Sequence, residues 1–173
     1  MTRRRNASAL TAPLAAGSPV AILPTASVML ASLITALPIM ADSPMLPPCG
    51  LLMLLAWRLM RSDMWPVWIG IPLGLWDDLF SGQPVGSAIA LWTMVMLAMD
   101  AVDLRLVWRD YRIDWLIGAL AIAFVLVAGG MLAQAGDPAT IAMLVAPQFG
   151  ISLFALPAAM LLVARLDSWR LGR

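Results

Sequence analysis

Six stretches of apolar residues alternate with short polar segments along this chain of 173 residues. The apolar stretches cover approximately residues 20–41, 45–60, 65–80, 85–102, 114–133 and 139–164. An α-helix of roughly 20 apolar residues crosses the hydrocarbon core of a bilayer, which is about 30 Å thick. The second stretch is the shortest, since a helix of its length extends only about 24 Å. The pattern predicts an all-α integral membrane protein whose six transmembrane helices form one bundle.

The composition agrees with this class of protein. Hydrophobic residues make up 62% of the chain and charged residues 12%, with a mean hydropathy of +0.89. Soluble domains are about half apolar and about one quarter charged. Six spans leave little chain outside the bilayer, so we expect a single membrane domain over residues 20–164. Residues 1–19 and 165–173 are expected to be short cytoplasmic tails, the first of them a retained tail rather than a cleaved signal peptide.

The distribution of positive charge predicts the orientation of the chain in the membrane. All eleven basic residues are arginines, and they lie before the first apolar stretch or after the second, fourth and sixth. These groups are Arg3, Arg4 and Arg5; Arg58 and Arg61; Arg105, Arg109 and Arg112; and Arg165, Arg170 and Arg173. The alternate turns carry no arginine, only Asp42, the pair Asp77 and Asp78, and Asp137. Because short arginine-rich loops stay in the cytoplasm, both termini are expected to be cytoplasmic.

Several kinds of catalytic and metal chemistry are excluded by residue types that the chain lacks. It has no histidine, lysine or glutamate, and Cys49 is its single cysteine. This rules out a catalytic dyad based on histidine, a zinc site with histidine ligands, a Schiff-base lysine and an internal disulfide. A lone cysteine in an apolar segment is typical of a small buried residue. We therefore expect no enzymatic activity, no catalytic or metal-binding residue and no cofactor.

A glycine and aspartate pattern marks the passage from the third stretch to the fourth. Gly70, Gly74 and Asp78 are spaced by four residues, which places them on one face of a helix. Small residues four apart allow a second helix to approach closely in a membrane. An aspartate at the centre of a span costs about 2.5–3.5 kcal/mol and less near the interface, so its presence needs a reason. Two interpretations stay open, in which Asp78 either faces this groove or caps the outer turn.

The surrounding residues resemble the rod shape-determining protein MreD family. The likeness lies in the spacing G-x3-G-x3-D-L-x-S-G-x3-G, preceded by Pro48 and an apolar run that ends at Trp57. Its positions, a candidate motif for helix packing or partner binding, are Gly70, Gly74, Asp78, Leu79, Ser81, Gly82 and Gly86. The likeness is specific over residues 48–86, and elsewhere it rests on chain length and span order. Asp77 is a departure, because the family pattern needs only the second acid.

The resemblance implies a non-enzymatic scaffold in the bacterial cytoplasmic (inner) membrane. Such a protein belongs to the cell-elongation machinery, organises peptidoglycan synthesis and is needed for rod shape. The implied partners are an MreC-like single-span membrane protein, the peptidoglycan polymerase and transpeptidase of the elongation complex, membrane lipids and, indirectly, an MreB-type cytoskeleton. No nucleic acid is implied. The resemblance also implies a bundle similar to the substrate-binding subunits of energy-coupling-factor transporters.

Two other functions are alternatives to the scaffold. A substrate-binding membrane subunit of a small-molecule transporter would need polar groups that converge on an outward-facing pocket. An intramembrane aspartyl enzyme would need two carboxylates at one depth, close enough to share a proton. Asp78 and Asp100 are predicted near opposite ends of their spans, and Asp77 diverges from Asp78 on one helix. The transporter subunit therefore remains as the alternative function.

Overall fold

The computed structural model describes residues 19–35, 46–62, 64–81, 84–105, 110–133 and 138–170. These residues form six α-helices and one short 3-10 turn, and none of them belongs to a strand. The helices are α1 (Pro19–Thr35), α2 (Cys49–Met60), α3 (Gly70–Ser81), α4 (Ser87–Arg105), α5 (Tyr111–Ala133) and α6 (Pro138–Arg170). The predicted all-α class is confirmed.

Three helices are long and apolar enough to cross a membrane. They are Ser87–Arg105, Tyr111–Ala133 and the stretch Ile141–Trp169 of α6. The remaining helices are shorter, with 17 residues in α1, 12 in α2 and 12 in α3. The length and composition of these three helices indicate a membrane protein. The other three of the six predicted crossings are not supported by helix length.

Prolines explain why α2 and α3 begin later than the apolar pattern suggested. The second stretch was predicted from residue 45, but α2 begins at Cys49, directly after Pro47 and Pro48. The third was predicted from residue 65, but Pro66 is extended and a 3-10 turn, Val67–Ile69, precedes Gly70. Proline fixes its own backbone and disfavours helix in the residue before it, so each helix starts past these positions.

The short helix α2 is the centre of the bundle. Every residue from Gly50 to Leu59 is buried, including Trp57. Successive contacts run from α1 to α3, α3 to α4, α4 to α5, and α5 to α6, with a few contacts that return from α6 to α1. These five helices form a ring, and α2 contacts α1, α5 and α6 inside it. A helix that is apolar on all sides is expected in such a place.

The last helix is a single element of 33 residues that contains Pro147 and Pro157. It was predicted over residues 139–164, but it continues to Arg170, into the segment expected to be a tail. The two prolines do not divide it. The helix therefore extends beyond the sixth apolar stretch by more than one turn.

Candidate functional site

Asp78, at the end of α3, caps the beginning of α4. Its Oδ1 accepts hydrogen bonds from the backbone N–H of Ala88 at 2.9 Å and the hydroxyl of Ser87 at 3.2 Å. Its Oδ2 accepts from the N–H of Gly86 at 2.8 Å and of Ile89 at 3.3 Å. The first N–H groups of a helix lack partners within the helix, and a carboxylate there is also favoured by the helix dipole. The residue is 3% exposed, so it both faces inward and caps a helix.

The glycine face of α3 packs against the backbone of α4. A Cβ atom on Gly74 would lie 2.7 Å from the carbonyl oxygen of Ala88, and one on Gly70 would lie 3.1 Å from the Cα of Thr93. Backbone atoms cannot move aside as a flexible side chain can. Both glycines therefore permit a close approach of two helices of this chain, and α4 occupies the face that was a candidate surface for a partner.

The remaining described positions of the motif lie near the corner between α3 and α4. Gly86 has a φ of 101°, a conformation that side chains rarely adopt, and it precedes the first residue of α4. Leu79 is exposed, and the hydroxyl of Ser81 is buried without a hydrogen bond among the described residues. Gly82 lies outside the described residues. Four of the seven motif positions, Gly70, Gly74, Asp78 and Gly86, thus hold α3 against α4 or lie at the junction.

Asp77 faces a different neighbourhood from Asp78. Together with the side chains of Trp92 and Gln148 it lines a cavity of about 280 Å³. The cavity lies between the beginnings of α2, α4 and α6 and the ends of α3 and α5. Gly50 leaves room beside it, because a Cβ there would lie 3.1 Å from both Asp77 Oδ1 and the ring of Trp92. No arginine among the described residues forms an ion pair with Asp77.

A buried arginine holds the opposite end of the bundle together. The side chain of Arg58 is 2% exposed, and its Nη2 lies 2.9 Å from Asp103 and 3.2 Å from Asp100. Its Nη1 donates to the carbonyl oxygen of Ser62. Arg58 lies near the end of the buried part of α2, whereas both acids belong to the last turns of α4. This ion cluster joins the central helix to the ring.

A second ion pair lies beside it, between Arg61 and Asp167 of α6 at 2.8 Å. The carboxyl-terminal ends of α2, α4 and α6 therefore meet at one end of the bundle, called the arginine end here. Sequence reasoning assigned these arginines only a topological role. Asp100 and Asp103, spaced by three residues on the side of the bundle where positive charge collects, were the signal that could have indicated their partners.

An apolar groove runs between α1 and α6, above the surface of α2. Its volume is about 560 Å³, and its lining is nearly all aliphatic. Five alanines line it, namely Ala26, Ala31, Ala155, Ala158 and Ala159. On α1 the lining extends from Leu23 to Ile34 and on α6 from Ala155 to Leu166, about 16 Å along each helix. The shape is elongated, as expected where α1 and α6 barely touch.

Asp78 and Asp100 do not form a pair that could share a proton. Asp78 binds the first turn of α4, whereas Asp100 binds Arg58 near the other end of that helix. Ala88 and Asp100 are separated by about 18 Å along the helix axis.

Comparisons of the chain with family models, with curated proteins and with solved structures found no match.

Proposed function

We propose that this chain is an MreD-like, non-enzymatic scaffold of the bacterial cell-elongation machinery in the inner membrane. The main support is the motif from Gly70 to Gly86, because its glycines and its aspartate contact α4 at the positions that the spacing predicts. Gly70 and Gly74 admit the backbone of α4, and Asp78 binds four donors at its start. These residues fix the packing of α3 against α4. A rigid bundle of this kind is expected of a scaffold, which presents a fixed surface to its partners.

The apolar groove is the surface that we propose for the single-span partner. Its length of about two to three helical turns suits another helix better than a compact ligand. Helices associate in lipid through small residues that allow close van der Waals contact, and five alanines line this groove. A partner helix that lies there would touch α1, α2 and α6 together. The glycine face of α3 is unsuitable, because α4 covers it.

A pair of tryptophan substitutions tests this assignment. Ala158 is exposed in the groove, and Ala158→Trp should fill it and reduce co-purification with a co-expressed MreC-like partner by at least tenfold. The matched control is Ala98→Trp in the smaller apolar depression between α4 and α5. Both changes add the same side chain to an exposed position of an apolar surface. Equal recovery of the partner with both variants would contradict the groove assignment.

The function itself is tested in cells. Depletion of the chain should turn rods into rounded, wider cells, and expression of the wild-type chain should restore the normal cell width. Ala98→Trp should restore width, whereas Ala158→Trp should not, although both proteins reach the membrane in equal amounts. Rod-shaped growth after complete depletion would overturn the proposed role.

The orientation proposed for this scaffold places the arginine end in the cytoplasm and crosses the membrane six times. The short helix α2 supports this proposal through its contacts with α6. At its start, the carbonyl of Leu46 accepts a hydrogen bond from Gln148, and after its end Arg61 pairs with Asp167. Gln148 and Asp167 lie about 28 Å apart along α6, close to the thickness of the hydrocarbon core. The segment 46–61 therefore extends over nearly the full thickness of the hydrocarbon core.

A second candidate, the substrate-binding subunit of a small-molecule transporter, is favoured by the cavity beside Asp77. The two functions predict different effects on nutrient uptake and on cell width. A transporter subunit should promote uptake of a labelled nutrient, such as a vitamin, and its loss should leave cell width unchanged when that nutrient is abundant. A change of width under those conditions favours the scaffold.

A further inference from the structure

The cavity beside Asp77 has the features of a binding site whose ligand has not been identified. Its walls come from four helices and from Pro48, which directly precedes α2, and its volume of about 280 Å³ is near the lower limit for small-molecule pockets. Most of the lining is aliphatic, including Leu91, Val125 and Leu144. It lies at the end of the bundle remote from Arg58, where Asp78 caps α4. A ligand in this place would be small and largely apolar.

Asp77 and Gln148 provide hydrogen-bond acceptors to the cavity. The carboxylate of Asp77 only accepts when it is ionised. Gln148 donates through its Nε2 to the carbonyl of Leu46 at 2.7 Å, which leaves its side-chain oxygen as an acceptor. The face of an indole ring, such as that of Trp92, also attracts positive charge. Two acceptors and an aromatic ring favour a ligand that donates hydrogen bonds and is positively charged.

The charge balance of this region leads to the same chemistry. A carboxylate within a largely apolar bundle is expensive unless a positive group offsets it. At the arginine end Arg58 forms ion pairs with two acids, but none of the described arginines pairs with Asp77. Asp78 obtains its compensation from the N-terminus of α4 instead. Asp77 is therefore an acid for which the described residues provide no arginine counter-ion.

We propose that this cavity binds a small organic ammonium ion, with Asp77 as its counter-ion and Trp92 and the aliphatic walls around its apolar body. The shared chemistry is a protonated primary amine joined to a few apolar atoms. Its source is either a free amine or the headgroup of an aminophospholipid that enters from the bilayer. The proposal does not depend on the scaffold function.

Three aromatic probes of nearly equal size test the charge requirement on the full chain in phosphatidylglycerol nanodiscs. 2-Phenylethylammonium should bind saturably in calorimetric titrations, with at least tenfold higher affinity than neutral 2-phenylethanol. The anion 3-phenylpropionate should not bind. Similar affinities for the ammonium and the alcohol would overturn the proposal, as would absence of saturable ammonium binding.

Three variants locate the site. Asp77→Asn keeps the shape of the side chain and should weaken binding of the ammonium probe at least tenfold. Asp110→Asn removes the same charge from an exposed position before α5, and its affinity should stay within twofold of wild type. Leu144→Trp should abolish binding by filling the cavity while it leaves Asp77 in place. Retained affinity in both Asp77→Asn and Leu144→Trp would exclude this cavity.

Adding phosphatidylethanolamine to the nanodiscs distinguishes the two sources. If this lipid competes with the probe in wild type, the native ammonium group belongs to the bilayer. If it does not compete, the ligand is a free amine. Cell width and partner recovery of Asp77→Asn are measured in parallel, so that loss of the scaffold function and loss of the ligand are separate results.

Discussion

Two adjacent aspartates with the same chemistry have different surroundings in this protein. Neighbouring residues on a helix point about 100° apart, so Asp78 turns to the start of α4 while Asp77 turns to the cavity. Sequence spacing identified Asp78 as the acid on the glycine face. It could not identify its four donors, because these depend on how closely α3 and α4 approach each other.

Removal of the Asp78 carboxylate should destabilise the bundle. Asp78→Ala leaves three backbone N–H groups and one hydroxyl without their acceptor, and a lost cap or buried acceptor costs about 1–3 kcal/mol. Asp77→Ala removes none of those bonds and serves as the control. Thermal unfolding in detergent should show the lower midpoint for Asp78→Ala. Equal midpoints for the two variants would contradict a capping role.

The ion cluster around Arg58 should stabilise the bundle chiefly through Asp103. Asp103 is 20% exposed and Asp100 is 54% exposed, so the pair with Asp103 is less screened by solvent. Asp103→Asn should therefore lower stability more than Asp100→Asn. In an Arg58→Met background, Asp103→Asn should lose most of its effect, since its partner is gone. Unfolding free energies of the four combinations measure the coupling; a value of zero would contradict a stabilising pair.

At the level of helices, the contact between α3 and α4 depends on the absence of a side chain. Gly74→Ala would place its Cβ 2.7 Å from the Ala88 oxygen, and α4 cannot retreat without losing the cap at Asp78. Overpacking of this kind typically costs about 1–3 kcal/mol. We expect a lower unfolding midpoint for this variant.

Gly150 provides the opposite control. It lies within α6, and nothing lies within 4 Å of a Cβ added there. Gly150→Ala should raise the free energy of unfolding by roughly 0.5–1 kcal/mol, because alanine loses less conformational entropy in a helix. Both substitutions replace glycine by alanine in a helix. Changes of opposite sign in the free energy of unfolding would therefore result from the close contact between α3 and α4 at Gly74. A stabilising effect of Gly74→Ala would show that the helices can separate freely.

The helices themselves could be predicted from the sequence to different degrees. The apolar period and length predicted α4 and α5 to within a few residues. The starts of α2 and α3 were placed too early, since hydropathy does not register the backbone restriction at Pro48 and Pro66. The central position of α2 was missed, although its apolar residues on every side are typical of a buried helix.

On the scale of the whole molecule, a ring of five helices surrounds one short helix. This arrangement explains why α2 can be short. Protein rather than lipid surrounds the helix, and residues of α4 and α6 form ion pairs and a hydrogen bond with the residues at its two ends. The sequence alone could not give this order. Ion pairs such as Arg58 with Asp103 join residues that are distant along the chain, and an apolar pattern carries no information about which segments are neighbours.

The orientation of the bundle in the membrane can be tested by cysteine labelling at the two ends of α4. Val85 and Leu104 lie near opposite ends of α4 and are both strongly exposed, at 76% and 82%. In a Cys49→Ala background, Val85→Cys should react with a membrane-impermeant maleimide in intact spheroplasts, whereas Leu104→Cys should react only after permeabilisation. The reason is that Leu104 adjoins Arg105 at the arginine end, and arginines are retained on the cytoplasmic side. The reverse pattern would invert the protein, and with it the side from which an ammonium ligand reaches Asp77.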